Sequence, residues 1–319
     1  MAALPSTAAR RSLPYLAGAA VAGLLVGTWS AQRRRRPLRL DSPAHGPATP
    51  ALSFPKSLLF PVRLTVVKTE QVNHDTKRIT FSLPGGAAQL TGVPPGSAIL
   101  TSHWPAGACF PVWRPYTPIS DPEARGTLEL LVKRYPHGRA SGHLHGLAPG
   151  ETVAVRGPLP GYAYAAAAEP RDLLMVAGGA GITPIYSLAK AILRAPGDRS
   201  RIQLLWGVNG TRDMVLKDDL DALEQQYPER LRVVYCVSGA AGTAEAADAG
   251  GAGGWRTGYI GREVLSEAIE RAEKAGAFGD GKGTKVFVCG PPAMQEAIAG
   301  KKGLLAGEFG LATKEVHLF

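Results

Sequence analysis

LLMVAGGAGITP, residues 173–184, runs a short apolar stretch straight into a glycine turn and a Thr-Pro pair. An apolar run of this length bounded by turn signals reads as a buried strand, and Thr183-Pro184 suits the opening of a helix. Gly178, Gly179 and Gly181 let the turn adopt positive φ and let a phosphate approach the backbone. The helix start adds unpaired N–H donors and positive partial charge. The segment is not the GxGxxG fingerprint, and by itself it is equally a tight turn with no ligand.

Working outward, Leu173–Ala177, Ile202–Val208, Leu231–Val237 and Lys285–Val288 are apolar runs of strand length. Helix-like segments follow at Pro184–Leu193, Lys217–Gln226, Arg262–Lys274 and Ala293–Gly300. This alternation predicts a parallel α/β sheet. VFVCGPPAM, residues 286–294, ends a second buried strand at Cys289-Gly290, and Pro291-Pro292 force the chain out of the sheet. Ligands of such sheets bind at the carboxyl ends of the strands, so both glycine turns could share one dinucleotide. Cys289 reads as a small core residue or as a non-covalent neighbour of that ligand, because no His partner for a nucleophile is evident.

From Leu58 to about Tyr164 the pattern changes to short apolar stretches broken by Pro and Gly: Arg63–Val67, Arg78–Leu83, Ser97–Thr101, Thr127–Lys133 and Thr152–Val155. These predict an antiparallel barrel or sandwich. Within it WRPYTPIS, residues 113–120, offers the planar fork of Arg114, the ring and hydroxyl of Tyr116 and the hydroxyl of Thr117 on a Pro-flanked strand, with Pro115 between. HGRASGHL, residues 137–144, could begin a short helix at Gly138–Ser141, a second candidate anion site or simply a solvated turn.

The formal charge of +10 is uneven. Residues 1–40 hold seven Arg and no acidic residue, leaving 29 basic against 26 acidic residues, or +3, in the rest, so the high charge is weak evidence for a nucleic-acid binder and none is expected as a partner. Leu13–Ala31 is 19 residues without a charge, about 28 Å as a helix, and about the thickness of a bilayer core. Five Arg follow it and two precede it, which biases the downstream side toward the cytosol. A mitochondrial outer-membrane anchor is expected, with the endoplasmic reticulum as the alternative and a cleaved secretory signal as the rival. Residues 37–57, with five prolines, read as an extended tether, and Gly239–Gly254 as a low-complexity loop. Cys109, Cys236 and Cys289 show neither a disulfide framework nor metal-ligand spacing, so no metal site is expected.

The four motifs in order, RPYTPIS, GRAS, GGAGITP and CGPPAM, with a terminal Phe319, resemble the NADH–cytochrome b5 reductase family of the ferredoxin-reductase-like superfamily over roughly residues 58–319. Behind the expected leader and transmembrane helix in 1–36 and the linker in 37–57, the resemblance implies a two-domain fold: an antiparallel FAD-binding β-barrel in 58–168 and a Rossmann-like nicotinamide-binding α/β domain in 169–319. It implies FAD contacts from Arg114, Pro115, Tyr116 and Thr117, the last near the hydride-accepting nitrogen, and from Leu131, Lys133 and Tyr135 along the flavin. Gly138, Arg139, Ala140 and Ser141 would grip the pyrophosphate, and Thr183 would reach FAD from the other domain. Gly178, Gly179, Gly181, Cys289, Gly290, Pro291 and Met294 would hold the nicotinamide dinucleotide, and Phe319 would close over the flavin. Thr117, Lys133 and Cys289 are the residues expected beside the reacting rings.

The implied acceptor is a cytochrome b5-type haem protein, steered by a basic rim drawn from Arg63, Lys68, Lys77, Arg125 and Arg134. A quinone or another haem protein as acceptor is one alternative, and a membrane-tethered nucleotide-binding scaffold without turnover is another. Departures from the family pattern are Ala140, Ala180 and Ala293, and above all Ser238, where NADH-preferring relatives often carry Asp on the adenosine ribose. NADH preferred, with NADPH tolerated, is the resulting expectation.

Overall fold

The computed structural model describes residues 49–166, 171–240, 255–274 and 285–319. The expected membrane span Leu13–Ala31, the loop at 241–254 and the expected domain boundary at 168/169 lie outside the described residues. Among the described residues no helix is long and apolar enough to cross a membrane.

Six strands form the first sheet: β1 (Val62–Gln71), β2 (Thr76–Ser82), β3 (Ala98–His103), β4 (Val112–Tyr116), β5 (Thr127–Lys133) and β6 (Thr152–Leu159). Their order is β4-β3-β6-β1-β2-β5, all antiparallel. Alternate residues Leu64 and Val66, Ile79 and Phe81, Leu128, Leu130 and Val132, and Val153 and Val155 point into one core, as a period of two demands. Pro115 and Pro118 flank Thr117, and beyond it the chain leaves β3 to lie beside β5. There Ile119 N–H donates to Glu129 C=O at 3.0 Å, bringing the two sheet ends together into a barrel. α1 (Arg139–Gly146) follows β5 and buries Leu144 in this core.

The tether expected through residue 57 is corrected at its described end. Ala51 and Leu52 donate backbone hydrogen bonds to Leu90 and Thr91 at 2.7 and 2.9 Å. Leu52 is fully buried in the barrel core, so this stretch is a strap of the barrel. Gly92 accommodates it: φ is +75°, and a Cβ there would collide with the Leu52 carbonyl. A single apolar side chain among the prolines is enough to dock the chain.

The second sheet holds β7 (Asp172–Gly178), β8 (Arg201–Val208), β9 (Leu231–Val237), β10 (Trp255–Thr257), β11 (Lys285–Cys289) and β12 (Val316–Leu318). All are parallel, in the order β10-β9-β8-β7-β11-β12. All seven residues of β7 are buried, as expected of a central strand covered on both faces. Helices α2 (Ile182–Arg194), α3 (Lys217–Gln226), α4 (Arg262–Lys274) and α5 (Pro292–Ala299) complete the layers. The chain winds outward from β7 to β10 and returns to β11 on the other side of β7. That reversal creates a crevice at the carboxyl ends of β7 and β11.

α2 joins the two halves. Eleven of its thirteen residues are buried, too many for a helix with a solvated face. Ile182, Ile185, Leu188 and Ala189 share one apolar cluster with Ile119 and Leu131 of the barrel. Lys190, only 6% exposed, donates from Nζ to the Ile119 carbonyl at 2.7 Å. Burial pulls its pKa below the lysine norm, against the opposing influence of Asp121, Asp219 and Glu129. Arg78–Asp219 at 3.2 Å, Lys133–Asp213 at 3.3 Å and Asn73 Nδ2 to Arg212 C=O at 2.7 Å stitch the same seam.

Leu52→Ala should lower unfolding stability by roughly 2–5 kcal/mol, the usual cost of emptying a buried leucine site. Chemical denaturation checks this, and an unchanged midpoint would show that the strap is not part of the barrel.

Candidate active site

A cleft of about 1600 Å³ opens between the barrel and the parallel sheet. It exceeds the usual volume of a single small-molecule site, roughly 300–1,000 Å³, and has room for more than one nucleotide. Its walls come from β4 and the segment after it, the end of β5, the start of α1, and the carboxyl edge of the parallel sheet.

On the barrel side, Arg114, Pro115, Tyr116 and Thr117 line the cleft in sequence. Arg114 is exposed on β4, with its guanidinium against the Trp113 carbonyl at 2.8 Å. Burial pushes the Tyr116 hydroxyl up to about 12, with Tyr135 adding to the effect, so the phenol stays protonated. Leu131, Lys133 and Tyr135 follow along β5 and its exit. Lys133 spends its ammonium on Asp75 at 2.7 Å and Asp213 at 3.3 Å. Burial works against its charge, but these two carboxylates outweigh that and raise its pKa above the lysine norm. It is therefore a fixed cation rather than a proton donor. His74, Asp75 and Asp213 have the spacing to hold a metal ion, but this ammonium already supplies the positive charge they face.

Gly138, Arg139, Ala140 and Ser141 form the start of α1, where a helix has no internal acceptors for its first N–H groups. The Ser141 hydroxyl is committed within the turn: it accepts from Tyr135 N–H at 3.2 Å and donates to the Gly138 carbonyl at 3.1 Å. The anion-facing donors here are thus the backbone and the exposed Arg139.

Opposite lies the glycine turn. Gly179 has φ +50° and nothing within 4 Å of where a Cβ would stand, leaving its surface open to the cleft. Gly178 and Gly181 are small for a different reason. A Cβ on Gly178 would collide with Met294 Sδ, and one on Gly181 with the Cys289 carbonyl. The two turns cross in direct contact, and Trp206 braces them from below by donating its indole N–H to the Gly179 carbonyl at 3.1 Å. Sequence reading missed this residue, since a lone tryptophan in a strand signals only core.

Thr183 is buried and donates from Oγ1 to the Ala180 carbonyl at 3.2 Å, fixing the turn from within the cleft wall. Cys289, Gly290, Pro291 and Met294 line the same edge. Burial pushes the Cys289 thiol up to about 11, the opposite of what a nucleophile needs. Phe319 donates its N–H to Val288 C=O at 3.2 Å and stacks its ring on Phe287, with centroids 6.2 Å apart. A Cβ on Gly96 of the barrel would lie 3.3 Å from that ring, so the last residue reaches across the seam.

Ser238 follows β9 at the cleft margin and donates to the Val208 carbonyl at 3.3 Å. Arg256, the next basic residue in sequence, is held by Glu267 in a two-pronged pair. Tyr259, His317 and Asn209 also line the cleft and were not singled out from sequence. Two of them sit at or beside three-residue edge strands too short to show periodicity. Of the expected basic rim, Lys68 is paired with Glu70 at 2.7 Å and Lys77 donates to the His145 carbonyl at 2.6 Å, while Arg63, Arg125 and Arg134 are exposed.

The open glycine surface, the helix start with Arg139, the exposed Arg114 and the neutral Tyr116 fit a dinucleotide flavin on the barrel side and a second dinucleotide on the sheet edge.

Comparison with known proteins agrees. Residues 63–164 match the oxidoreductase FAD-binding domain and residues 175–300 the oxidoreductase NAD-binding domain. The chain is 40% identical over 245 residues to an NADH-cytochrome b5 reductase 2 of Pyricularia oryzae, covering 76% of this chain and 67% of that protein. It is 39% identical over 267 residues to one of Chaetomium globosum, covering 81% and 72%. The cytochrome b5 reductase domain of Ulva prolifera nitrate reductase superposes with a TM-score of 0.68 at 28% identity, over 85% of this chain and all of that one. The chain therefore belongs to the NADH–cytochrome b5 reductase family of FAD-dependent oxidoreductases.

Proposed function

We propose that the chain takes a hydride from NADH onto FAD held by the barrel and passes the electrons singly to a cytochrome b5-type haem protein. The observation that carries this reading is convergence: the four motifs, drawn from two domains and spread from Arg114 to Met294, line one continuous cleft. When bound, FAD supplies the chemistry that couples a two-electron donor to a one-electron acceptor. The residues supply positioning. Arg114 and the start of α1 hold phosphate charge, Thr117 and Tyr116 orient the flavin, and Lys133 stands as a fixed cation between the two binding regions. Cys289, a neutral thiol at the end of β11, packs beside the nicotinamide and keeps water out. Phe319 closes the cleft between Val288 and Gly96.

Ser238 offers no charge to repel a 2′-phosphate, and Arg256 is already engaged by Glu267. We propose NADH as the preferred donor with NADPH tolerated. The uncharged stretch at residues 13–31 and the Arg cluster after it support a mitochondrial outer-membrane anchor with the catalytic body facing the cytosol.

Steady-state assays on the purified full chain, with NADH or NADPH and ferricyanide or cytochrome b5, test this reading. Visible flavin absorption and NADH-driven reduction of both acceptors are expected, with NADPH slower. A colourless, inactive protein would sink it. Ser238→Asp should widen the NADH preference by at least about tenfold in kcat/KM, since like charges placed together are strongly unfavourable. An unchanged ratio would remove Ser238 from donor selection.

With its thiol at about 11, only about one Cys289 in ten thousand is ionised at pH 7. Iodoacetamide should therefore leave Cys289 untouched at pH 7, with labelling rising about tenfold per pH unit toward pH 11. Rapid labelling of Cys289 at pH 7, read by peptide mass mapping, would contradict the neutral packing role.

A further inference from the structure

The strap that enters the barrel carries an apolar knob that faces away from it. In FPKSLLFP, residues 54–61, Phe54, Leu59 and Phe60 are 64%, 70% and 65% exposed. Isolated exposed apolar residues are ordinary, but three large ones within seven positions are not. The knob is built rather than loose. Leu52 is fully buried beneath it, Ser57 N–H donates to the Ser53 carbonyl at 2.9 Å, and Ser57 Oγ accepts from Ser53 N–H at 3.0 Å. Phe60 N–H closes the single helical turn on the Lys56 carbonyl at 3.1 Å. A preformed surface of this kind loses little conformational freedom when it meets a partner.

The sequence on either side of it carries charge of one sign. From residue 42 to residue 69 there is no Asp or Glu, while Lys56 is exposed between Phe54 and Phe60 and Arg63 is exposed just beyond them. Apolar side chains ringed by lone cations match the boundary between anionic headgroups and acyl chains. The chain preceding the knob carries the uncharged stretch 13–31 and Arg33 to Arg36 and Arg39. Fourteen residues lie between Arg39 and Phe54, a reach of at most about 54 Å. The knob thus lies within reach of whatever surface holds the leader.

We propose that Phe54, Leu59 and Phe60 insert into the interfacial layer of the same membrane that the leader enters, with Lys56 and Arg63 on lipid phosphates. This second contact fixes the orientation of the catalytic body relative to the bilayer. The inference rests on the anchoring reading above, and its test separates the two.

The full chain with FAD bound, carrying Cys109→Ser to remove the exposed thiol and Leu59→Cys for attachment of a nitrobenzoxadiazole dye, is reconstituted into vesicles of phosphatidylcholine with phosphatidylserine. A companion protein carries the dye at Lys301→Cys, an exposed position on the α/β domain. The position 59 dye should emit at shorter wavelength with lipid and lose most of its emission to doxyl-labelled lipid, while the position 301 dye does neither. Phe54→Ser with Phe60→Ser should reverse both effects at position 59 without altering ferricyanide reduction in detergent. A protein that floats with vesicles while its position 59 dye stays in water would overturn the proposal and leave the anchor intact. A blue shift without quenching by lipid would show the leader folded over the knob and would equally overturn it. Failure to float would overturn both readings.

Discussion

The architecture depends on one helix serving two cores. α2 grows out of the glycine turn, packs its inner face on the parallel sheet and gives its other face to Ile119 and Leu131 of the barrel. The distance between the two nucleotide-binding regions is therefore set by side-chain packing in a close-packed interior. Lys190 marks the point of greatest constraint. Its buried ammonium fixes the carbonyl of Ile119, two residues beyond Thr117. A flexible linker between two domains could not hold two cofactor rings in register; a shared core can.

Around that core the polar groups are placed for geometry rather than for acid–base chemistry. Lys133 is neutralised between Asp75 and Asp213, Ser141 braces its own turn, and Cys289 is kept protonated by burial. Hydride transfer between two bound dinucleotides calls for orientation and exclusion of water, and these side chains supply both. The glycines divide in the same way. Gly179 leaves an open surface, whereas Gly178 and Gly181 allow the two turns to cross without collision.

Much of this was legible in the sequence because it is local. Helices at Lys217–Gln226 and Arg262–Lys274 and strands at Thr127–Lys133 and Leu231–Val237 follow directly from apolar period and turn residues. The motif order brought every residue expected at the site into one cleft. What escaped is non-local. β10 and β12 are three residues long and gain their place only by pairing with a longer neighbour. Lys190 in a helix reads as solvated until the barrel covers it. Trp206 reads as core until its indole meets Gly179. Leu52 sits among prolines that signal an open tether, and only its burial in the barrel shows otherwise.

The seam between α2 and the barrel sets the spacing of the two nucleotide-binding regions, across which a hydride would move. Anaerobic stopped-flow mixing of NADH with the FAD-loaded protein and with Lys190→Met tests it directly. Flavin content and protein fold should be retained in the variant, while the rate of flavin bleaching falls by about a hundredfold, the scale expected of an ångström-sized misplacement. Bleaching at the wild-type rate would show that the rings are aligned by the cofactors' own contacts and not by the seam.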